Sequence, residues 1–229
     1  MKSILLAILF FTLSIIIPLF FSDIMQIMVT KLAVGWVFAS IYTRLLVIIL
    51  FSIGLYLLFQ IFKRTSQLKF IWVFLLAILP GLAISFLEPI YDVDYGLWTD
   101  DKSIENITGL ELASDYTFNG EYNVLLFATT NCPHCKATAK KLALNVAAGQ
   151  KIRVSTFFSG SEEDAINFLA ENDASNFDYH LIEPDSVFLN FSGNSFPSIY
   201  LIRPDGSTIH HWKGDMMNYS ALDLIANLP

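Results

Sequence analysis

The chain has two cysteines in 229 residues, and both lie in one tetrapeptide, Cys132-Pro133-His134-Cys135. Thiols three positions apart sit about one helical turn from each other, close enough to close a small disulfide ring. Such a bridge encloses almost no loop, so it adds little stability by restricting the unfolded chain. Its use is therefore two-electron chemistry, in which the pair cycles between dithiol and disulfide. The reactive species in exchange is a thiolate. A helix that begins at Cys132 surrounds that sulfur with unpaired backbone N–H groups and the positive end of the helix dipole, both of which favour S⁻. Pro133 suits the first helical position, where its missing N–H has no helical partner. His134 adds positive charge or a donor beside the sulfur. Cys132 is then the expected nucleophile, joined to a substrate through a mixed disulfide, and Cys135 is the thiol that resolves it.

The same pair supplies half of a tetrahedral zinc site, and two thiolates with a His or Met donor suit Cu(I). The further donors are His134, His180, His210 and His211, with Met25, Met28, Met216 and Met217. No second pair has ligand spacing, and adjacent His210 and His211 on a strand point to opposite faces. Three readings stay open: a thiol–disulfide oxidoreductase, a Cu(I)-handling chaperone using the same dithiol, and a docking module whose dithiol does no chemistry. For the first, no resident metal or organic cofactor is expected, because the Cys132–Cys135 disulfide is itself the redox centre.

The elements that must hold these residues are legible around them. Tyr122–Thr130 is a continuous apolar run rich in β-branched and aromatic residues, as in a buried strand. A helix follows from Cys132 to about Ala148, closed by Gly149. Ile152–Ser159 reads as a second strand, and Ser161 with three following acids opens a helix to about Asn172. Tyr179–Ile182 is a short strand, Ser186–Phe191 a turn of helix, and Ser198–Arg203 a strand. Pro204-Asp205-Gly206 is a turn that returns the chain as Thr208–Lys213. Asn218 caps a terminal helix to Leu228. Strands alternating with helices, then a hairpin and a helix, predict an α/β domain with a mixed sheet.

Charge divides the chain near residue 90. Residues 1–88 carry six Lys/Arg and two Asp/Glu; residues 89–229 carry eight Lys/Arg and nineteen Asp/Glu, a net of −11. An acidic second half offers no basic stripe for phosphates, which argues against nucleic acid as a partner. Lys136, Lys140 and Lys141 read as a solvated helix face.

The first half holds three uncharged apolar runs, Ser3–Ser22, Leu45–Phe62 and Phe70–Leu87. At about 1.5 Å per residue each comes close to the hydrocarbon thickness of a bilayer. Ile24–Thr43 is apolar but carries Gln26 and Lys31, and fits an interfacial segment, a fourth span or the start of a long tilted helix. Lys31 and Arg44 read as interfacial anchors. The loop from Lys63 to Lys69 has three positive charges and no negative one, so it is expected in the cytoplasm. The last span then exits on the opposite face, where disulfides persist. Three organisational regions are expected: a transmembrane helical region of three or four spans over 1–88, a tether over 89–104, and an extracytoplasmic domain over 105–229.

The order strand, C-x-x-C, helix, distant Phe196-Pro197 before a strand, and Pro-Asp-Gly hairpin resembles the thioredoxin superfamily. The segment FPSIYLIRPDGSTIHHWKG is similar to the closing hairpin of TlpA-like, membrane-tethered members, and CPHC resembles the Dsb-type periplasmic oxidants. The resemblance implies a thioredoxin-like mixed sheet flanked by helices over residues 105–229. It implies a cis peptide before Pro197 facing the dithiol, and a Phe196 backbone that pairs with an incoming peptide. It also implies protein thiol or disulfide substrates, a membrane redox partner, and residence in the cytoplasmic membrane with a periplasmic C-terminal domain. Two departures stand out. Many thioredoxins have Trp where this chain has Asn131, and a buried acid where it has Leu126. That acid assists proton transfer at the second sulfur.

Overall fold

The computed structural model describes residues 2–61, 70–87, 95, 116, 120–214 and 217–228. The chain divides into two compact units, Met1–Tyr91 and Asp92–Pro229. The expected cytoplasmic loop from Lys63 to Lys69 lies outside the described residues, as does the expected tether apart from Tyr95.

The first unit contains α1 (Lys2–Leu19), α2 (Phe21–Leu32), α3 (Trp36–Ile61) and α4 (Phe70–Ser85). The first expected span ends early, because the helix breaks at Phe20 and α2 leaves at 78° to α1. Ile24–Thr43 is not one element. Ala33 takes a left-handed conformation (φ 51°) that ends α2, and α3 begins at Trp36. The second expected span is therefore the longer helix α3, 26 residues with Arg44 inside it. By length and composition, Trp36–Gln60 is enough to cross a membrane, and the bent pair α1–α2 qualifies when taken as one span. The apolar stretch Trp72–Ser85 of α4 is shorter. By this measure the described helices carry one or two candidate spans, fewer than the three or four expected from hydropathy.

Packing inside this unit inverts the pattern of a water-soluble bundle. Small and hydroxyl-bearing residues are buried, among them Ser14, Ala39, Ser52, Ala77 and Ser85, beside a few large ones such as Phe21, Met25 and Trp36, while many large apolar side chains face out, with Leu79 at 76 % exposure. On α4, Val73, Ala77, Gly81 and Ser85 recur every fourth residue on the buried face. A Cβ on Gly81 would stand 3.1 Å from the Ile48 backbone, and one on Gly54 3.2 Å from the Phe11 ring. The buried hydroxyls bond back to their own helices, as Ser52 does to the Ile48 carbonyl at 2.7 Å. Arg44 does not simply point to an interface. Its guanidinium donates to the Ser85 carbonyl at 2.8 Å and lies 4.8 Å from the centre of the Phe21 ring, joining α2, α3 and α4.

The second unit contains β1 (Tyr122–Ala128), α5 (Pro133–Ala147), β2 (Ile152–Phe158), α6 (Glu162–Glu171), β3 (Asp178–Leu181), α7 (Asp185–Ser192), β4 (Ser198–Ile202), β5 (Thr208–Lys213) and α8 (Tyr219–Ala226). The sheet order is β3-β2-β1-β4-β5. β1, β2 and β3 are parallel, which requires the helical crossovers α5 and α6 between them. β4 runs antiparallel to β1 and β5 antiparallel to β4. The expected caps form: Ser161 Oγ accepts from the Asp164 amide at 3.2 Å, and Asn218 Oδ1 from the Ala221 amide at 2.9 Å. On one face of the sheet, Leu125, Phe127, Phe157, Phe188, Phe191 and Tyr200 form the aromatic core, with Phe196 packed against it.

Candidate active site

β1 ends at Ala128, and residues Thr129–Asn131 turn the chain into α5. The turn is held by the Cys132 amide, which donates to the Thr129 carbonyl at 3.2 Å. Cys132 is the N-cap residue of α5, in an extended conformation, and Pro133 stands at the first helical position. As N-cap, the Cys132 sulfur accepts a hydrogen bond from the Cys135 amide at 3.2 Å. One of the orphan donors of the helix start is thereby aimed at the sulfur, as the sequence required.

The two thiols are unbonded and differ in access. Cys132 is partly exposed, whereas Cys135 is buried at 0 % exposure. Burial pushes the Cys135 thiol well above its ordinary value, and its hydrogen bond with Cys132 adds to the rise. Thr129, in the turn before the motif, opposes part of that rise. Pro133 and His134 are both exposed on the first turn.

From the other end of the domain, the chain brings Phe196 and Pro197 to this sulfur. The Cys132 thiol donates to the Phe196 carbonyl at 3.9 Å across 64 positions of sequence. The Phe196–Pro197 peptide is cis, as is Glu183–Pro184. The Phe196 ring turns inward and stacks on Phe188, centroids 5.7 Å apart and planes at 11°, which leaves its carbonyl facing the dithiol. Pro197 is buried, and its carbonyl accepts from the Gly214 amide at 2.7 Å.

Two residues at this site, Thr129 and Ser198, were not singled out by sequence. Thr129 reads as the end of a strand, and in the structure its carbonyl holds the Cys132 amide at 3.2 Å. Ser198 Oγ and His211 Nε2 are 2.8 Å apart in the core, and His211 stacks on Tyr200 with centroids 3.9 Å apart. The expectation that His210 and His211 face opposite ways holds, with His211 buried and His210 partly exposed. Leu126, where many relatives carry an acid, is fully buried and pairs in register with Thr156 of β2. Among the described residues, no three His, Cys, Asp or Glu side chains gather in a group that could hold a metal ion.

The sequence matches the Thioredoxin-like domain family over residues 112–227, just over half of the chain. No curated protein matches it. Among solved structures, a secreted disulfide oxidoreductase of Mycobacterium tuberculosis is similar at 21 % identity and a TM-score of 0.40, over 48 % of this chain and 82 % of that one. The thioredoxin domain of a thiol-disulfide oxidoreductase from Bacteroides vulgatus is similar at 24 % identity and 0.39, over 48 % and 82 %. An exposed lipoprotein thioredoxin of Streptococcus pneumoniae is similar at 21 % identity and 0.39, over 48 % and 87 %.

Proposed function

Because the chain belongs to the thioredoxin-like domain family, we propose that it is a thiol–disulfide oxidoreductase anchored in a membrane, acting on protein thiols and disulfides outside the cytoplasm. Cys132 is the nucleophile and Cys135 the resolving thiol. The observation that carries this reading is the contrast between them. One sulfur is reachable at a helix start and receives an amide donor; the other is sealed one turn below it.

The chemistry follows in two steps. The Cys132 thiolate attacks one sulfur of a substrate disulfide, and the other substrate sulfur leaves as a thiol after taking a proton. Cys135 then attacks Cys132 in the mixed disulfide and expels the second substrate sulfur. The substrate gains two electrons and two protons, and the Cys132–Cys135 pair becomes a disulfide. The reverse sequence oxidises a substrate. Phe196 and Pro197 frame the cleft beside Cys132, and exposed His134 adds a donor or positive charge at its rim. The reduction potential of the pair in the full chain sets the net direction. A value of about −120 mV marks an oxidant and about −270 mV a reductant.

The membrane reading is supported by the first unit, where many large apolar side chains face outward and small and hydroxyl-bearing residues recur in the interior. That is how helices pack when lipid surrounds them. We place α1, α3 and α4 as three spans, with the Lys63–Lys69 loop and the N-terminus in the cytoplasm and the dithiol domain on the far side. Residues 1–88 contain no cysteine, so the anchor offers no thiol relay of its own. Turnover therefore draws electrons from, or passes them to, a separate dithiol or disulfide partner at the membrane.

Incubating the full chain with a disulfide peptide tests the exchange reading. The expected result is a mixed disulfide at Cys132 that Cys132→Ala abolishes. Exchange that persists in Cys132→Ala defeats the reading. Labelling of single cysteines introduced in the Lys63–Lys69 loop and in β5, with a reagent that does not cross membranes, tests the topology. Protection of the loop and labelling of β5 are expected; the opposite pattern inverts the assignment.

A further inference from the structure

We propose that His211 is a positioning residue of this exchange: joined to Ser198 behind Pro197, it holds the Phe196–Pro197 peptide where a substrate chain meets Cys132. The inference rests on the exchange reading above, in which that peptide frames the cleft, and adds the residue that fixes it.

The peptide lies just outside the sheet and needs ties of its own. Proline has no N–H to give a ladder, and β4 begins only at Ser198. The Pro197 carbonyl accepts from the Gly214 amide at 2.7 Å, which ties it to the end of β5. A second tie runs through side chains. Ser198 Oγ and His211 Nε2 meet at 2.8 Å, with the serine at 0 % and the histidine at 2 % exposure.

The imidazole is itself held. It lies flat on Tyr200, centroids 3.9 Å apart and planes at 9°. The Tyr200 hydroxyl donates to the Phe191 carbonyl of α7 at 2.6 Å. About one turn back on that helix, Phe188 stacks on the Phe196 ring. The contacts therefore close on themselves. They run from Phe196 along the chain to Ser198, across to His211, through Tyr200 to α7, and back to Phe196. Phe127 packs against Phe188, Phe191 and Tyr200, with ring centroids 6.0, 5.7 and 5.7 Å away. The peptide in this circuit is the one whose Phe196 carbonyl accepts from the Cys132 thiol at 3.9 Å.

Stability alone does not explain a polar pair at this place. Two apolar side chains of the same shape would serve the fold about as well, because each polar group loses its hydration on burial and the bond restores little more. What the bonded pair adds is a single allowed arrangement, since a shift of either partner leaves both unsatisfied in a sealed site. Attack at a sulfur is sensitive to displacements of about 1 Å. A peptide fixed beside Cys132 therefore speeds attack on a substrate chain that lies along it.

The test compares two substrates on the full chain, purified in detergent. One is a peptide disulfide; the other is hydroxyethyl disulfide, which has no backbone to lie along the cleft. Mixed disulfide formation at Cys132 is timed by acid quench and mass spectrometry, and the readout is the ratio of the two rates, peptide over small disulfide. For His211→Leu this ratio is expected to fall by about 3- to 10-fold, the usual effect of one hydrogen bond. His211→Gln, whose side-chain amide reaches Ser198 from nearly the place of Nε2, should restore it. Ser198→Ala with His211→Leu should regain part of the stability yet keep the low ratio, which a purely structural role would not produce. If His211→Leu does not fold, Ser198→Ala alone takes its place. A wild-type ratio in the variant overturns the proposal, as does a Gln variant no better than Leu, or a double variant whose ratio recovers with its stability. A wild-type chain that reacts with neither disulfide defeats the exchange reading itself, a result distinct from a change in the ratio.

Discussion

Ser198 Oγ and His211 Nε2 lie 2.8 Å apart, both sealed from solvent, immediately behind Pro197. The pair links the first residue of β4 to β5 where the hairpin closes. Ser198 also follows the peptide whose Phe196 carbonyl meets Cys132. Register brings them together: Ser198 pairs with Lys213 and Tyr200 with His211, so the imidazole stacks on Tyr200 while reaching back to the serine.

Replacing His211 by Leu leaves the Ser198 hydroxyl buried without this partner. A loss of about 1–3 kcal/mol in stability is expected, the usual cost of an orphaned buried polar group. Ser198→Ala combined with His211→Leu should recover part of it, because both polar groups are then gone. Urea or thermal melts of the full chain measure this. A double variant less stable than the single one would show that the pair is not the unit that matters.

The contrast in access between the two thiols predicts distinct variants. Cys135→Ala should accumulate a mixed disulfide through Cys132, because the sulfur that resolves it is absent. Cys132→Ala should form none, since the remaining thiol is fully buried. Non-reducing gels of the full chain with a disulfide-containing protein distinguish these outcomes.

Stability should fall with pH in the reduced protein. Burial, followed by the hydrogen bond with Cys132, pushes the Cys135 thiol up. The folded state therefore keeps this proton to higher pH than the unfolded chain does. Below about pH 8.5 both states hold it and the contribution is fully present. Above that, the unfolded thiol ionises while the folded one does not, and stability declines by about 1.4 kcal/mol per pH unit until the folded thiol also titrates. Cys135→Ala should flatten this slope between about pH 8.5 and 9.5. An unchanged slope in the variant would place its origin elsewhere.

In the helical unit, Gly81→Ala should be more disruptive than Gly54→Ala. The added methyl at 81 meets the Ile48 backbone, which cannot turn away, whereas at 54 it meets the Phe11 side chain, which can. An overpacking cost of about 1–3 kcal/mol is expected for Gly81→Ala. Thermal melts of the detergent-solubilised chain provide the comparison, and equal melting of the two variants would contradict it.

Much of this molecule could be read from local pattern. The apolar run before Cys132, the N-cap role of that cysteine, the caps at Ser161 and Asn218 and the Pro-Asp-Gly hairpin all depend on residues within a few positions of one another. Phe196-Pro197 was found by its place before a strand, because resemblance carries chain order. The substitution of Leu126 for an acid was equally visible. Hydropathy marked the apolar runs of the first unit, yet it has no direction. It could not show that α1 bends at Phe20, that α3 starts as early as Trp36, or that Arg44 reaches the Ser85 carbonyl.

What required the tertiary structure was every partnership between distant residues. Sequence named Phe196, but only the fold stacks its ring on Phe188 and brings its carbonyl to Cys132. The Ser198–His211 contact follows from strand register, which one residue of slip would undo by moving the imidazole to the opposite face. Chain-local forces decide which segments become strands and helices, whereas the packing of those segments decides which polar atoms meet, since only there is each deprived of water and obliged to find another partner.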